Sequence, residues 1–259
     1  MQDQFTVDTM PVRIGADGAA VAAAAAAHTA AVLRDRVAAN GAARVVVATG
    51  NSQLPFVRAL RGEDVPWSRV TVFHMDEYVG VGDDHPASFR RWIRREVTEP
   101  YGPAVVHYID GTAGDPAAEC DRYEELLRAA PVDLVCLGIG ENGHLAFNEP
   151  DVADPDDTRW ARIVELTDVS RRQQVGEGHF PDLAAVPATA ISLTVPALLG
   201  AAVVQAVVPE ARKAAAVRAA LTGPVGRHCP ASLLRTHPGA VLFLDRDSAG
   251  QLDGTTADV

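Results

Sequence analysis

An α/β fold, built on a mostly parallel, Rossmann-like doubly wound sheet with helices on both faces, is predicted by three features of this 259-residue chain. Short β-branched apolar runs alternate with helix-like segments along its length, as parallel strands joined by crossover helices require. Two of those runs, 70–74 and 132–137, lead directly into glycines, carboxylates and a histidine, where an open sheet of this kind places its ligand crevice. No composition shift or Pro/Gly/Ser-rich linker interrupts the pattern, and no internal repeat is evident. Residues 1–259 therefore read as one domain, long enough for a substantial core.

The elements follow in order. Residues 17–40 are alanine-rich, and alanine is the best helix former. Leu33 and Val37 make an i, i+4 apolar pair, and Asn40-Gly41 is a suitable C-cap. Residues 44–48 read as a strand, Thr49-Gly50-Asn51-Ser52 as a loop, and 53–60 as a helix. Residues 70–74 are the next strand. Residues 86–97 read as a helix with Phe89, Trp92 and Ile93 on one face and Arg90, Arg91, Arg94 and Arg95 on a solvated one. Residues 116–128 are a helix, and 132–137 are a central strand. A polar loop spans 151–157. Strands follow at 162–166, 190–195 and 201–208, then a helix at 211–221 and a last strand at 240–244.

Composition excludes several classes. At 47% hydrophobic residues the chain should fold rather than stay disordered. No apolar run reaches the length that spans a bilayer. The start, Met1-Gln2-Asp3-Gln4-Phe5, lacks the basic and apolar regions of a secretory leader. The three cysteines, Cys120, Cys136 and Cys229, are too widely spaced for a disulfide framework or a metal site. These points together predict a cytoplasmic protein with no membrane partner. A net charge of −11 argues against nucleic acid as the main partner. It leaves room for a phosphorylated ligand, which a few local cations and a helix N-terminus can hold.

The stretch Leu137-Gly138-Ile139-Gly140-Glu141-Asn142-Gly143-His144-Leu145-Ala146-Phe147-Asn148-Glu149-Pro150 carries the most information. Glycine lets the backbone turn sharply after the central strand and approach a ligand closely. Earlier, Phe73-His74-Met75-Asp76-Glu77-Tyr78 ends another strand in adjacent carboxylates, and His85-Pro86-Ala87-Ser88 follows. These three motifs, in this order, resemble those of the glucosamine-6-phosphate deaminase family, also called glucosamine/galactosamine-6-phosphate isomerase. That family shows Met-Asp-Glu-Tyr, then His-Pro-x-Ser, then Gly-His-x-(Ala/Gly)-Phe-Asn-Glu-Pro. The resemblance runs from about residue 45 to 245.

The resemblance implies a reaction: conversion of an amino-sugar phosphate to a keto sugar phosphate and ammonia. Such chemistry needs a group that shuttles a proton during ring opening, a base that moves a proton from C2 to C1, and a hold on the phosphate. Histidine suits the first task, since its pKa lies near neutrality. By resemblance, Asp76 is the C2 base, His144 opens the ring, and Glu149 supports His144, while Glu77, read as a structural residue or a supporting partner, and Gly143 are placed beside them among the substrate-site residues. The phosphate falls to Thr49, Gly50, Asn51 and Ser52 at a strand-to-helix turn, and to Lys213 at the start of a later helix. No metal or organic cofactor is called for. A homo-oligomer is left open, since some bacterial relatives are hexamers.

Departures from the family pattern mark a divergent branch. Many relatives carry aspartate where this chain has Asn142, next to the Gly-His pair. An amide can orient His144 but cannot offset an imidazolium charge, a task that Glu141 or Glu149 would then take. Thr49-Gly50-Asn51-Ser52 replaces a usual Thr-Gly-Gly-Thr-Pro. A phosphate-binding arginine of the family aligns without gaps near Gly176, so Arg172 is the candidate to replace it. The 151–157 loop, where a relative's allosteric site would fall, is acidic here, which predicts no activation by an N-acetylated sugar phosphate. A 6-phosphogluconolactonase-like hydrolase is the nearest alternative, but that family shows Asp-Glu-Arg and Asp-Gly-His-Thr-Ala-Ser where this chain has Asp76-Glu77-Tyr78 and Asn142-Gly143-His144-Leu145-Ala146-Phe147. A catalytically silent sugar-phosphate sensor is the alternative from outside enzymology. The sequence leaves glucosamine and galactosamine undistinguished.

Overall fold

The computed structural model describes residues 3–176 and 178–252. Met1 and Gln2, which entered the readings above, lie outside the described residues. The chain opens with an antiparallel hairpin, β1 (Asp3–Val7) and β2 (Met10–Gly15). The pattern did not predict it, because β1 is a short edge strand that sets only Phe5 and Val7 against the core. Helix α1 (Gly18–Asn40) starts where Asp17 accepts a hydrogen bond from the Ala20 N–H at 2.8 Å. It ends at Gly41, whose φ of 78° suits glycine as a C-cap.

Strand β3 (Ala43–Val47) leads to α2 (Leu54–Leu60), then β4 (Val70–His74) and the short β5 (Asp76–Tyr78). The helix expected over 86–97 is shorter. Helix α3 (Phe89–Ile93) begins only after Ser88, whose hydroxyl accepts from the Arg91 N–H. A π-helical turn over Arg94–Thr98 then joins it to α4 (Glu99–Tyr101). Edge strand β6 (Val105–His107), too short for a periodic signal, precedes α5 (Pro116–Arg128), β7 (Leu134–Leu137) and β8 (Ala161–Glu165). Helix α6 (Asp168–Gly176) was not predicted, since its nine residues carry little apolar periodicity. Strand β9 (Thr189–Leu193) stops two residues short of expectation. There Thr194 caps α7 (Val195–Leu199), accepting from the Ala197 N–H, with proline in the first turn. Strand β10 (Val203–Val208), α8 (Ala214–Thr222) and β11 (Ala240–Asp245) complete the chain.

The main sheet has eight strands in the order β1-β2-β11-β10-β7-β3-β4-β6, parallel throughout except for the β1–β2 hairpin. Side chains alternate between its two faces. Val45, Val47, Leu134, Cys136 and Phe243 pack with α1 and α2. Val46, Val135, Leu137, Leu242 and Leu244 pack with α5 and α8. Helices therefore cover both faces, and the strands read as continuous apolar runs because neither face meets water. Strands β5, β9 and β8 form a separate antiparallel sheet. Among the described residues no helix is long and apolar enough to cross a membrane.

Strand order reverses between β3 and β7: from β3 the chain moves outward to β4 and β6, and from β7 to β10 and β11. A crevice opens at such a reversal, outside the carboxyl ends of the strands.

Candidate active site

The ends of β3, β4, β7 and β10 meet in one cleft at that reversal. Thr49, Gly50, Asn51 and Ser52 form its wall after β3, Asp76 after β4, His144 after β7, and Lys213 after β10. Gly50, at φ 105°, turns the backbone as only glycine does freely. Gln53 is buried and donates to the Val207 carbonyl at 3.0 Å, tying the loop to the end of β10. Gly138 is required for this, since a Cβ there would lie 2.7 Å from the Gln53 amide nitrogen. Lys213 is 4% exposed. Glu210 just before it holds a φ of 85°, the kind of local strain that a functional turn retains.

Asp76 sits where β4 crosses to the second sheet, 7% exposed. Burial, and then the charge of neighbouring Glu77, push its carboxyl up to about 8. Its backbone is fixed from below. The His74 Nδ1 donates to the Asp76 carbonyl at 2.9 Å, and Nε2 accepts from the Ile109 N–H at 2.9 Å. One neutral tautomer satisfies both bonds, and burial lowers the His74 pKa to about 4, which keeps the ring neutral. The Tyr123 hydroxyl holds the same strand end, donating to the His74 carbonyl at 2.7 Å and accepting from its N–H at 2.9 Å.

Glu77 does not line the cleft, a correction to its place among substrate-binding residues. Its side chain turns the other way and accepts from the Tyr78, Phe89 and Arg90 N–H groups and the Ser88 hydroxyl. Burial raises its pKa while those four donors oppose the rise. Each such bond to a charged group contributes about 1.5–3 kcal/mol, so Glu77 anchors the start of α3 to β5.

His144 lies over Gly140, where a Cβ would fall 2.3 Å from the imidazole. Its Nδ1 stands 3.6 Å from Glu149 Oε1. Asn142 Nδ2 donates to Glu149 Oε2 at 2.7 Å, while its Oδ1 accepts from the His144 N–H at 3.2 Å. The amide thus orients the carboxylate and the loop together. Ser170 Oγ donates to Glu149 Oε1 from α6. Of the two carboxylates expected to offset an imidazolium, Glu149 is the one in place. Glu141 instead pairs with Arg212 at 2.9 Å on the rim. Gly143, at φ 88°, packs where a Cβ would meet the Cys229 sulfur at 2.7 Å, so it shapes the loop behind His144.

Arg172 is not brought to the cleft. Its side chain is 67% exposed and pairs with Asp168 at 3.4 Å. Helix α6 instead sends Gln173 and Gln174 to the cleft wall, with His179 beyond it. Aligning the family arginine without gaps hid this, because the alignment sought a cation in a segment that contributes amides and an imidazole. The Arg172-Gln173-Gln174 run was the available signal.

A buried carboxylate and a histidine–carboxylate pair facing one cleft at a sheet reversal define an α/β protein with an acid–base site. The chain belongs to the family described as glucosamine-6-phosphate isomerases/6-phosphogluconolactonase, whose model matches residues 16–243. The glucosamine-6-phosphate deaminase of Pseudarthrobacter chlorophenolicus is 39% identical over 212 residues, 80% of each chain. That of Streptococcus suis is 33% identical over 224 residues, 85% of this chain and 92% of its own. Among solved structures, a monomeric glucosamine-6-phosphate deaminase superposes with a TM-score of 0.85 at 26% identity, over 93% of this chain and 99% of that one. A 6-phosphogluconolactonase from Shewanella baltica, at 21% identity, shares the fold with a TM-score of 0.74 over 93% of this chain and all of its own.

Proposed function

We propose that this chain is an aldose–ketose isomerase that deaminates glucosamine 6-phosphate to fructose 6-phosphate and ammonia, or a close amino-sugar phosphate to its matching 2-ketose phosphate and ammonia. The observation that carries this reading is the joint presence of Asp76 and the Glu149-backed His144 on one cleft. His144 moves a proton between the C1 hydroxyl and the ring oxygen, which opens the pyranose. Glu149, 3.6 Å away, offsets the imidazolium formed in that step. Asp76, as a carboxylate, takes the C2 proton of the open chain and returns it at C1. The enolamine between those transfers becomes an imine at C2, which water hydrolyses to the ketone and ammonia. The 49–52 loop and Lys213 hold the phosphate, so that the carbon chain lies across both groups. A carboxyl near 8 suits a base that must also give its proton back.

The assay follows ammonia and fructose 6-phosphate together, with Asp76→Asn as control. Equal release of both, reduced about 1000-fold or more in the control, is expected for loss of a general base and its orientation. Release of ammonia from neither glucosamine nor galactosamine 6-phosphate, with hydrolysis of 6-phosphogluconolactone instead, would replace the reading with a lactonase. Binding without turnover would replace it with a sensor. The cytoplasm is the proposed compartment, and the oligomeric state is left to direct measurement.

A further inference from the structure

We infer that Gln174 is a specificity-determining hydrogen-bond donor that takes a hydroxyl oxygen of the sugar chain. This rests on the proposal that a phosphorylated amino sugar occupies the cleft.

The argument begins at Tyr78, which is fully buried. Its ring is packed by Phe89, Phe147 and Phe180, with centroids at 4.9, 5.7 and 5.3 Å. Such packing leaves the hydroxyl one position. There it donates to Gln174 Oε1 at 2.7 Å. With the amide oxygen engaged by Tyr78, the side of Gln174 left for the cleft it lines is its NH2. An amide NH2 can only donate, so the ligand atom that it meets must be an acceptor.

Position separates the hydroxyls from the phosphate. Tyr78 lies two residues beyond Asp76 on β5, so its bond ties Gln174 to the acid–base end of the cleft. The groups proposed to hold the phosphate, the 49–52 loop and Lys213, instead follow β3 and β10. Helix α6 is fixed at its start as well, since Ser170, one turn before Gln174 on the same face, donates to Glu149. The helix is therefore pinned at Ser170 to the His144 partner and at Gln174 to the Asp76 strand. A donor held this rigidly discriminates between sugars, because a hydroxyl of the wrong configuration leaves it unpaired.

The test uses the full chain and two variants. Gln174→Met keeps length and neutrality and removes the donor. Tyr78→Phe keeps the ring and frees the amide to rotate. In an Asp76→Asn background, which does not consume the ligand, calorimetry measures binding of glucosamine 6-phosphate and, separately, of inorganic phosphate, with melting temperature as a check on folding. Gln174→Met is expected to weaken the sugar phosphate about 10-fold, the upper range for one neutral hydrogen bond, and to leave inorganic phosphate unchanged. With Asp76 in place, KM should rise by the same factor with kcat changed less. Tyr78→Phe should weaken the sugar phosphate about 3-fold by the same reasoning. Gln174→Met within twofold of its Asp76→Asn parent for the sugar phosphate overturns the inference, as does an equal loss for inorganic phosphate. Wild-type protein that binds no amino-sugar phosphate overturns the functional reading and this inference with it, an outcome read before any variant is made.

Discussion

Restoring the aspartate that many relatives carry should harm this protein rather than improve it. Asn142 Nδ2 lies 2.7 Å from Glu149 Oε2, so Asn142→Asp sets a second carboxyl against a buried one. Two unit charges 4 Å apart at an effective dielectric near 20 repel by about 4 kcal/mol. The pair escapes most of that by sharing one proton, as adjacent carboxylates do, with one pKa strongly raised. The sign follows. The folded pair holds a proton that the unfolded chain has released, so stability falls as pH rises from about 4 through the raised pKa. Below that range the shared proton restores the bond that the amide made. At pH 5 the variant should melt close to wild type. At pH 8 it should be less stable by about 2–4 kcal/mol, or about 5–10 °C for a chain of this size. Product release should fall in parallel, because Glu149 no longer holds its place beside His144. Thermal unfolding and ammonia release at both pH values read this directly. A variant as stable as wild type at pH 8, and more active, would refute the reasoning and show that the Asn142–Glu149 bond does not organise the site.

Four further outcomes are expected. Because burial holds the Asp76 carboxyl near 8, kcat/KM should fall about tenfold per pH unit below that value, as the base gains a proton. The same raised pKa destabilises the wild-type fold as pH climbs from about 4 to 8, so Asp76→Asn should be inactive yet relatively more stable at pH 8 than at pH 4. Gly140→Ala places a methyl 2.3 Å from the His144 ring; activity should drop at least about 100-fold, as a misplaced catalytic group does, with a small change in melting temperature. N-acetylglucosamine 6-phosphate should not lower the half-saturating substrate concentration. The ≈ 600 Å³ cavity behind Glu149 is lined by Glu149, Asp154, Asp157 and Glu165 against the single cation Arg162, so its field repels a second phosphate. A leftward shift of the saturation curve with that compound would refute this.

Sequence alone determined the layered α/β architecture and the residues at its strand ends. Buried parallel strands are written as apolar runs, and the glycines around His144 and the Asp76-Glu77 pair interrupt them where the sheet must end. Thr49 to Ser52 stood out as a polar turn between a strand and a helix, while Lys213 was singled out only by the resemblance to the family. Only the tertiary structure decided what each carboxylate does. Asp76 and Glu77 are adjacent in the chain, but strand alternation sends one to the cleft and the other to the start of α3. Glu141 and Glu149 both flank His144, yet Arg212 and Asn142, from different elements, assign one to the rim and the other to the imidazole. Arg172 carried the expected charge, but its position on α6 points it to solvent, while Gln174 faces inward to meet Tyr78. Periodicity records which residues are buried within an element. It does not record which distant side chain waits at the other side of the contact, and at this site that partner sets orientation, charge and role.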